Sequence, residues 1–356
     1  MKIPAPLLSA LEDPKATDIC INGSSTFIDR GAGLSILNSG TLDSAELKAW
    51  VLDVLARAGR SWDARAPFAD AAWTHEGRRF RVHVVFPPIS DTKMLISIRR
   101  LANPQLPGST TSRWTESSLS FDCLAGAFKK GESILIAGGT GSGKTTLAAD
   151  LLSQVSSSER IIALEDTPEL QPSHAHFVSL QARPPNADGF GEVTLRTLLR
   201  QALRMRPDRL VLGECRGAEV MDLLQALNTG HSGGIATLHA NSPRDALRRV
   251  ETLALLSGTE GLSIAVIREW IASGIQWVAQ VERGDDGSRR IREIAQVCGI
   301  ESGVLVLRSL NSEAALQQWT DPSHLWHNSK HRPYEKTLAR APSLAAGQRA
   351  VSVPVS

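Results

Sequence analysis

Gly138-Gly139-Thr140-Gly141-Ser142-Gly143-Lys144-Thr145 has the spacing G-x-x-x-x-G-K-[ST] of a phosphate-binding loop. The chemistry asks for these residue types. Glycines let successive backbone N–H groups turn inward around a phosphate, in conformations that a Cβ disfavours. Lys144 is the cation for β- and γ-phosphates, and the Thr145 hydroxyl is a ligand for Mg²⁺. Thr146 extends the nucleotide-binding stretch to residues 138–146. Three further sets of groups have types suited to the same chemistry. Glu165 and Glu169 follow an apolar run, Glu214 follows another, and His239 follows a third. Carboxylates at the ends of parallel strands handle Mg²⁺ and attacking water, and a histidine there can contact a γ-phosphate. Taken singly, the acids read by default as a solvated loop and the histidine as a structural one.

These groups need elements to position them. Ile134-Leu135-Ile136-Ala137 predicts a buried strand that feeds the loop, and Thr145 to Leu152 predicts a helix whose N-terminus adds positive dipole. Residues 160–164, 209–213 and 235–238 predict the strands before Glu165, Glu214 and His239. Residues 194–206 predict a helix ended by Pro207, with Arg196, Arg200 and Arg204 along one solvated or interface stripe. Met221 to Leu227, 243–255 and 262–274 predict three more helices. Ile275 to Val281 and Arg290 to Val297 predict a hairpin around Asp285-Asp286-Gly287.

Residues 1–100 predict a small α+β domain. Asp43 and Glu46 have the spacing of a helix-capping box ahead of Leu47, Val51, Val54 and Leu55. Residues 79–84 alternate strictly, so Phe80, Val82 and Val84 share one strand face and Arg79, Arg81 and His83 the other. Arg81, Arg99 and Arg100 read either as phosphate contacts across an interface or as a solvated face. Residues 101–114 carry prolines, a glycine and a Ser/Thr run, the composition of a linker. The second domain is expected over 115–308, and 309–356 as a largely disordered tail.

Bulk properties exclude several classes. The 356 residues are 42% apolar and 21% charged, with a net charge of +2, so no basic field points to nucleic acid. The four cysteines form no CxxC pair, which suits a reducing compartment. No stretch is long enough to span a membrane, and the early acids do not suit a signal peptide.

The segments GGTGSGKTT (138–146), ALEDTPEL (163–170), LVLGECRG (210–217) and TGHSGGIATLHAN (229–241), in this order, resemble the Walker A, Asp, Walker B and His boxes of the type II/type IV secretion ATPases, or traffic ATPases. LEDPKATDICING (11–23) and ISIRRL (96–101) resemble the first domain of the CpaF-like Tad pilus and conjugation branches. The four-cysteine zinc motif of many type II members is absent, which points the same way. The resemblance implies an α/β fold: a PAS-like N-terminal domain joined to a RecA-like ATPase domain, assembled as a hexameric ring. It implies ATP as substrate with Mg²⁺, and nucleotide bound between the domains. Glu165, with Glu169 as the second candidate, would act on the water. Glu214 would serve Mg²⁺ through water, and His239 the γ-phosphate. Arg81 and Arg99 match the first-domain arginines. The partner implied is an inner-membrane platform protein of a pilus or secretion system, at the cytoplasmic face, with no direct nucleic-acid binding. A nucleotide-dependent structural ring and a DNA-transfer ATPase are the alternatives.

Overall fold

The computed structural model describes residues 2–310 and 316, except 32, 38–39, 61, 63–66, 91–92, 102–113, 115–116, 187–188, 259–261 and 285–286. It is an α/β structure built on two sheets. The first sheet is antiparallel throughout, in the order β3-β2-β1-β6-β5-β4. Its strands are β1 (Asp18–Asn22), β2 (Ser25–Asp29), β3 (Leu34–Ile36), β4 (Phe68–His75), β5 (Arg78–Val85) and β6 (Leu95–Arg100). Helices α1 (Ala5–Glu12) and α2 (Ser44–Arg57) cover one face. Asp43 caps α2, its carboxylate accepting the Ala45 and Glu46 N–H groups. Trp50 of α2 meets Trp73 of β4 edge to face at 5.4 Å, at the centre of that core. The alternation in β5 is as expected: Phe80, Val82 and Val84 are buried, whereas Arg79, Arg81 and His83 face outward and are half-buried.

The second sheet has the order β14-β13-β12-β7-β11-β10-β8-β9. Its strands are β7 (Ile134–Gly138), β8 (Ile161–Glu165), β9 (Phe177–Gln181), β10 (Arg209–Leu212), β11 (Ile235–Leu238), β12 (Trp277–Arg283), β13 (Arg289–Glu301) and β14 (Val304–Ser309). The six strands from β12 to β9 run parallel, and β13 and β14 add an antiparallel edge. Residues of β7, β8, β10 and β11 are buried on both faces, so these strands read as unbroken apolar runs. One face packs against α5 (Leu195–Ala202), α6 (Glu219–Asn228), α7 (Pro243–Leu256) and α8 (Ile264–Gly274), the other against α3 (Ser118–Lys129) and α4 (Lys144–Leu152). Since β11 and β10 lie between β7 and β8, the chain ends of β7, β11, β10 and β8 open side by side at one edge.

Several elements escape the sequence pattern. In β4, Phe-Ala-Asp-Ala-Ala-Trp-Thr-His buries Ala69, Ala71 and Trp73 in alternation, but small alanines hide the period. Helix α5 ends at Ala202, so Arg204 lies past it; Arg200 and Arg204 are exposed and Arg196 is half-buried, as the expected stripe requires, but the stripe is also paired. Arg196 and Arg200 both pair with Asp222 of α6, at 2.5 and 3.1 Å. Of the expected linker (101–114), residues 102–113 lie outside the described residues, as do 115–116 just beyond it. Trp114 is 1% exposed and donates its Nε1–H to buried Asp150 at 2.8 Å. Of the expected tail, Ser309 closes β14 and Leu310 and Leu316 are buried. Residues 311–315 and 317–356 lie outside the described residues, as do Asp285 and Asp286 of the expected hairpin turn. Among the described residues no helix is long and apolar enough to cross a membrane.

Candidate nucleotide site

The loop Gly139–Gly143 leaves the end of β7 and enters α4. Gly143 caps the helix at φ 104°, and a Cβ there would stand 2.8 Å from Arg289 Cδ. A Cβ on Gly138 would collide with the Val281 carbonyl oxygen and Ser142 Oγ. Both positions demand glycine for the path the loop takes. Lys144 is 8% exposed and folds back along the loop, donating to the carbonyl oxygens of Gly138 (2.9 Å) and Gly139 (2.8 Å). Burial pulls its pKa below the ordinary lysine value, against the pull of Glu214 and Glu169.

Glu214 and His239 stand at the ends of neighbouring strands. Thr237 Oγ1 donates to the Gly213 carbonyl (2.5 Å) and Cys215 N–H to the Thr237 carbonyl (2.7 Å), so the two strand ends are locked in register. His239 Nε2 is 3.0 Å from Glu214 Oε1, and its Nδ1 is 3.4 Å from Lys144 Nζ. Burial and the Lys144 charge hold the histidine below its usual pKa. A neutral ring that donates from Nε2 to Glu214 and accepts at Nδ1 from Lys144 satisfies all three groups. Burial raises the Glu214 carboxyl, but Arg216, His239 and Lys144 outweigh it and keep it below the ordinary range. Arg216 bridges Glu214 to Asp166, whose Oδ2 is 3.4 Å away.

The two glutamates of the 163–170 segment differ sharply. Glu165 is 2% exposed. Its Oε1 accepts the Glu169 and Leu170 N–H groups, each at 2.8 Å, and its Oε2 accepts Ser179 Oγ at 2.7 Å. Burial pushes its carboxyl up despite those bonds. Both oxygens are thus occupied in shaping the turn that carries Glu169. Glu169 is half-buried on the cleft wall, where its charge acts on Lys144 and Arg99.

A cleft of about 590 Å³ separates this edge from the outer face of the first sheet. Lys144, Thr145, Glu169, Glu214 and His239 line one side, Arg81 and Arg99 the other. Arg81 and Arg99 are register partners on β5 and β6. Each is held by a carboxylate of its own sheet: Arg99 Nε donates to Asp18 Oδ1 at 2.8 Å, and Arg81 Nη2 is 3.6 Å from Asp70 Oδ1. Arg100 has a different task, donating to the carbonyl oxygens of Leu11, Asp13 and Pro14 behind α1. Arg79 donates across the divide to the Pro168 carbonyl. Three further arginines join this region. Arg216, within the 210–217 segment, and Arg289 line the cleft, whereas Arg79 touches the turn before Glu169; Arg79 and Arg289 get there only through the fold. Arg289, on the first residue of β13, places Nη1 3.0 Å from Thr146 Oγ1.

The donors at this edge suit a hard cation such as Mg²⁺. The Thr145 hydroxyl and the Glu214 carboxylate offer oxygen. Among the described residues no group of three or more His, Cys, Asp or Glu is arranged to hold a metal. Mg²⁺ bound through one or two protein oxygens and substrate phosphates needs no such cage.

The type II/IV secretion system protein family model matches residues 65–281. A Mycobacterium tuberculosis protein assigned by name to conjugal transfer is 40% identical over 296 residues, 82% of each chain. The conjugal transfer protein TrbB of Rhizobium radiobacter is 31% identical over 299 residues, 82% of this chain and 87% of TrbB. The crystal structure of the pilus retraction motor PilT with bound ADP aligns with a TM-score of 0.60 at 21% identity, over 91% of this chain and 88% of that one, which bears on the fold alone. With the match spanning more than half its length, the chain belongs to the type II/IV secretion system protein family.

Proposed function

We propose that the chain is a Mg²⁺-dependent ATPase whose turnover drives work at the cytoplasmic face of an inner membrane. The observation that carries this reading is the Lys144–His239–Glu214 chain at the mouth of the phosphate loop, facing arginines across a cleft. In this reading the loop N–H groups and Lys144 hold the phosphates, and Lys144 leaves the Gly138 and Gly139 carbonyls to do so. Thr145 and Glu214 are the residues that would hold Mg²⁺, which would supply charge neutralisation on the phosphates when bound. His239 donates to the γ-phosphate. Glu169 orients the attacking water, and Glu165 positions Glu169. Arg81 and Arg99 neutralise developing charge when the two sheets close, and Arg289 serves the phosphate nearest Thr146. Catalysis is then mainly positioning and electrostatic stabilisation.

The strand order β12-β7-β11-β10-β8 supports a RecA-like ATPase domain over 115–308, and the antiparallel sheet with its two helices supports a PAS-like domain over 1–100. A hexameric ring and an inner-membrane platform partner complete the proposal. The named functions of the relatives favour conjugation-type secretion over the Tad or type IVb-like pilus branch. A second reading, a nucleotide-dependent ring with little turnover, draws on the pairing of Arg99 with Asp18 and Arg81 with Asp70. Mg²⁺-dependent phosphate release by the wild type and by Lys144→Ala tests the choice. Turnover abolished in the variant supports the ATPase, and a wild type that binds ATP without turnover, even with its platform protein, supports the ring.

A further inference from the structure

Gln280 is a long polar side chain on an apolar strand. Its neighbours Val278, Ala279 and Val281 are 0% exposed, and Gln280 itself is 6% exposed. The register places Gln280 beside Ala137 of β7, and Ala137 beside Leu238 of β11. The methyl of Ala137 leaves room for the side chain to cross the phosphate-loop strand. Gln280 Nε2 donates to the carbonyl oxygen of Ala240, 3.1 Å away and buried, immediately after His239. The amide orientation is fixed by that contact, since the flipped form would set two oxygens against each other. Gln280 Oε1 is buried and has no partner among the described residues.

This arrangement is a poor way to stabilise a fold. One neutral hydrogen bond contributes less than an orphaned buried carbonyl oxygen costs. Methionine would fill the same space and remove the orphaned Oε1, but it would leave the Ala240 carbonyl without the donor that Gln280 supplies. What glutamine adds is control of the Ala240 carbonyl. Behind His239, the Thr237 contacts fix β11. Ahead of it, Asn241 N–H is held by Asp245 Oδ2 at 2.9 Å. Between these two anchors, Gln280 holds the backbone at the histidine itself.

We infer that Gln280 is a positioning residue that sets the place of His239 over the phosphate loop, by a strut from β12 across β7 to the end of β11. The catalytic half of this inference rests on the ATPase reading. Its test uses the full-length protein and Gln280→Met. Hydrogen–deuterium exchange of the 238–241 peptide should quicken while β7 and β12 stay protected, and the melting temperature should change little, because the buried Oε1 that is removed offsets the Ala240 carbonyl that is left unpaired. ADP affinity should stay within about twofold, and kcat should fall roughly 10- to 100-fold with KM near wild type, as expected for a misplaced catalytic group. Unchanged exchange at 238–241, or wild-type kcat, would overturn the inference. A lowered melting temperature with exchange rising across all three strands would also overturn it, by showing a merely structural role. A wild type without turnover counts against the ATPase reading instead, and the exchange experiment still decides whether Gln280 holds the histidine segment.

Discussion

Replacing Glu165 and Glu169 separately with Gln distinguishes the acid that builds the site from the acid that serves it. In Glu165→Gln the remaining Oε1 still accepts the Glu169 and Leu170 N–H groups, and the Ser179 hydroxyl turns to accept from the new amide. The loss of charge weakens those bonds from ~1.5–3 toward ~0.5–1.5 kcal/mol each, but it also removes the cost of a buried carboxylate. Burial is the dominant influence on this carboxyl and raises its pKa, so ionisation opposes folding above that pKa. The variant should therefore gain on the wild type as pH rises through that range, with a net change within about 1 kcal/mol. Glu165→Leu, by contrast, orphans two backbone N–H groups at ~1–3 kcal/mol each, about 2–6 kcal/mol in all. Glu169→Gln should leave the fold intact and remove the carboxylate proposed to orient the water, lowering kcat by about 10²- to 10⁴-fold. Thermal unfolding and steady-state ATP hydrolysis on the three variants read both effects. A Glu165→Gln protein that melts like wild type yet loses as much kcat as Glu169→Gln would refute the assignment of roles.

Arg289→Gln should weaken ATP and ADP by the same factor, about 10- to 100-fold, with kcat little changed, because it lies by Thr146 rather than the γ-phosphate; fluorescent-nucleotide titration measures this. Gly143→Ala forces a Cβ into a left-handed residue, at about 1–2 kcal/mol, and onto Arg289, so nucleotide binding should be lost from a protein that still folds by circular dichroism. The Asp70 hydrogen bond raises the His83 pKa against burial and Arg81. The stability that His83 contributes is therefore full below its ordinary value and lost as pH rises through the raised folded value. Wild type and His83→Gln should converge in melting temperature as pH rises through that range, and a constant difference would contradict the linkage.

The phosphate loop and the strand-end residues Glu214 and His239 were legible because each sits within a few residues of an apolar run whose end fixes its place. The order of the second-sheet strands was not legible, and that order is what sets His239 against Glu214. The family resemblance put Glu165, the residue at the strand end, ahead of Glu169. Only the observed hydrogen bonds show its oxygens turned into the following turn. The strand β4 was hidden by alanines, and β9 by its half-exposed edge. Arg289 and Gln280 carry no local signal, and the alternation that turns Arg79 outward does not reveal its partner, since each acts on a segment more than 30 residues away. The Arg196 and Arg200 stripe was visible as periodicity, but its partner Asp222 lies on the next helix.

The most direct test of the account is ATP hydrolysis against protein concentration, for wild type and Glu214→Gln in parallel. A shared, ring-borne site predicts that specific activity rises with concentration in the wild type and is lost in Glu214→Gln at every concentration. Activity that is strictly linear in concentration would contradict the ring, and hydrolysis unchanged by Glu214→Gln would contradict the site.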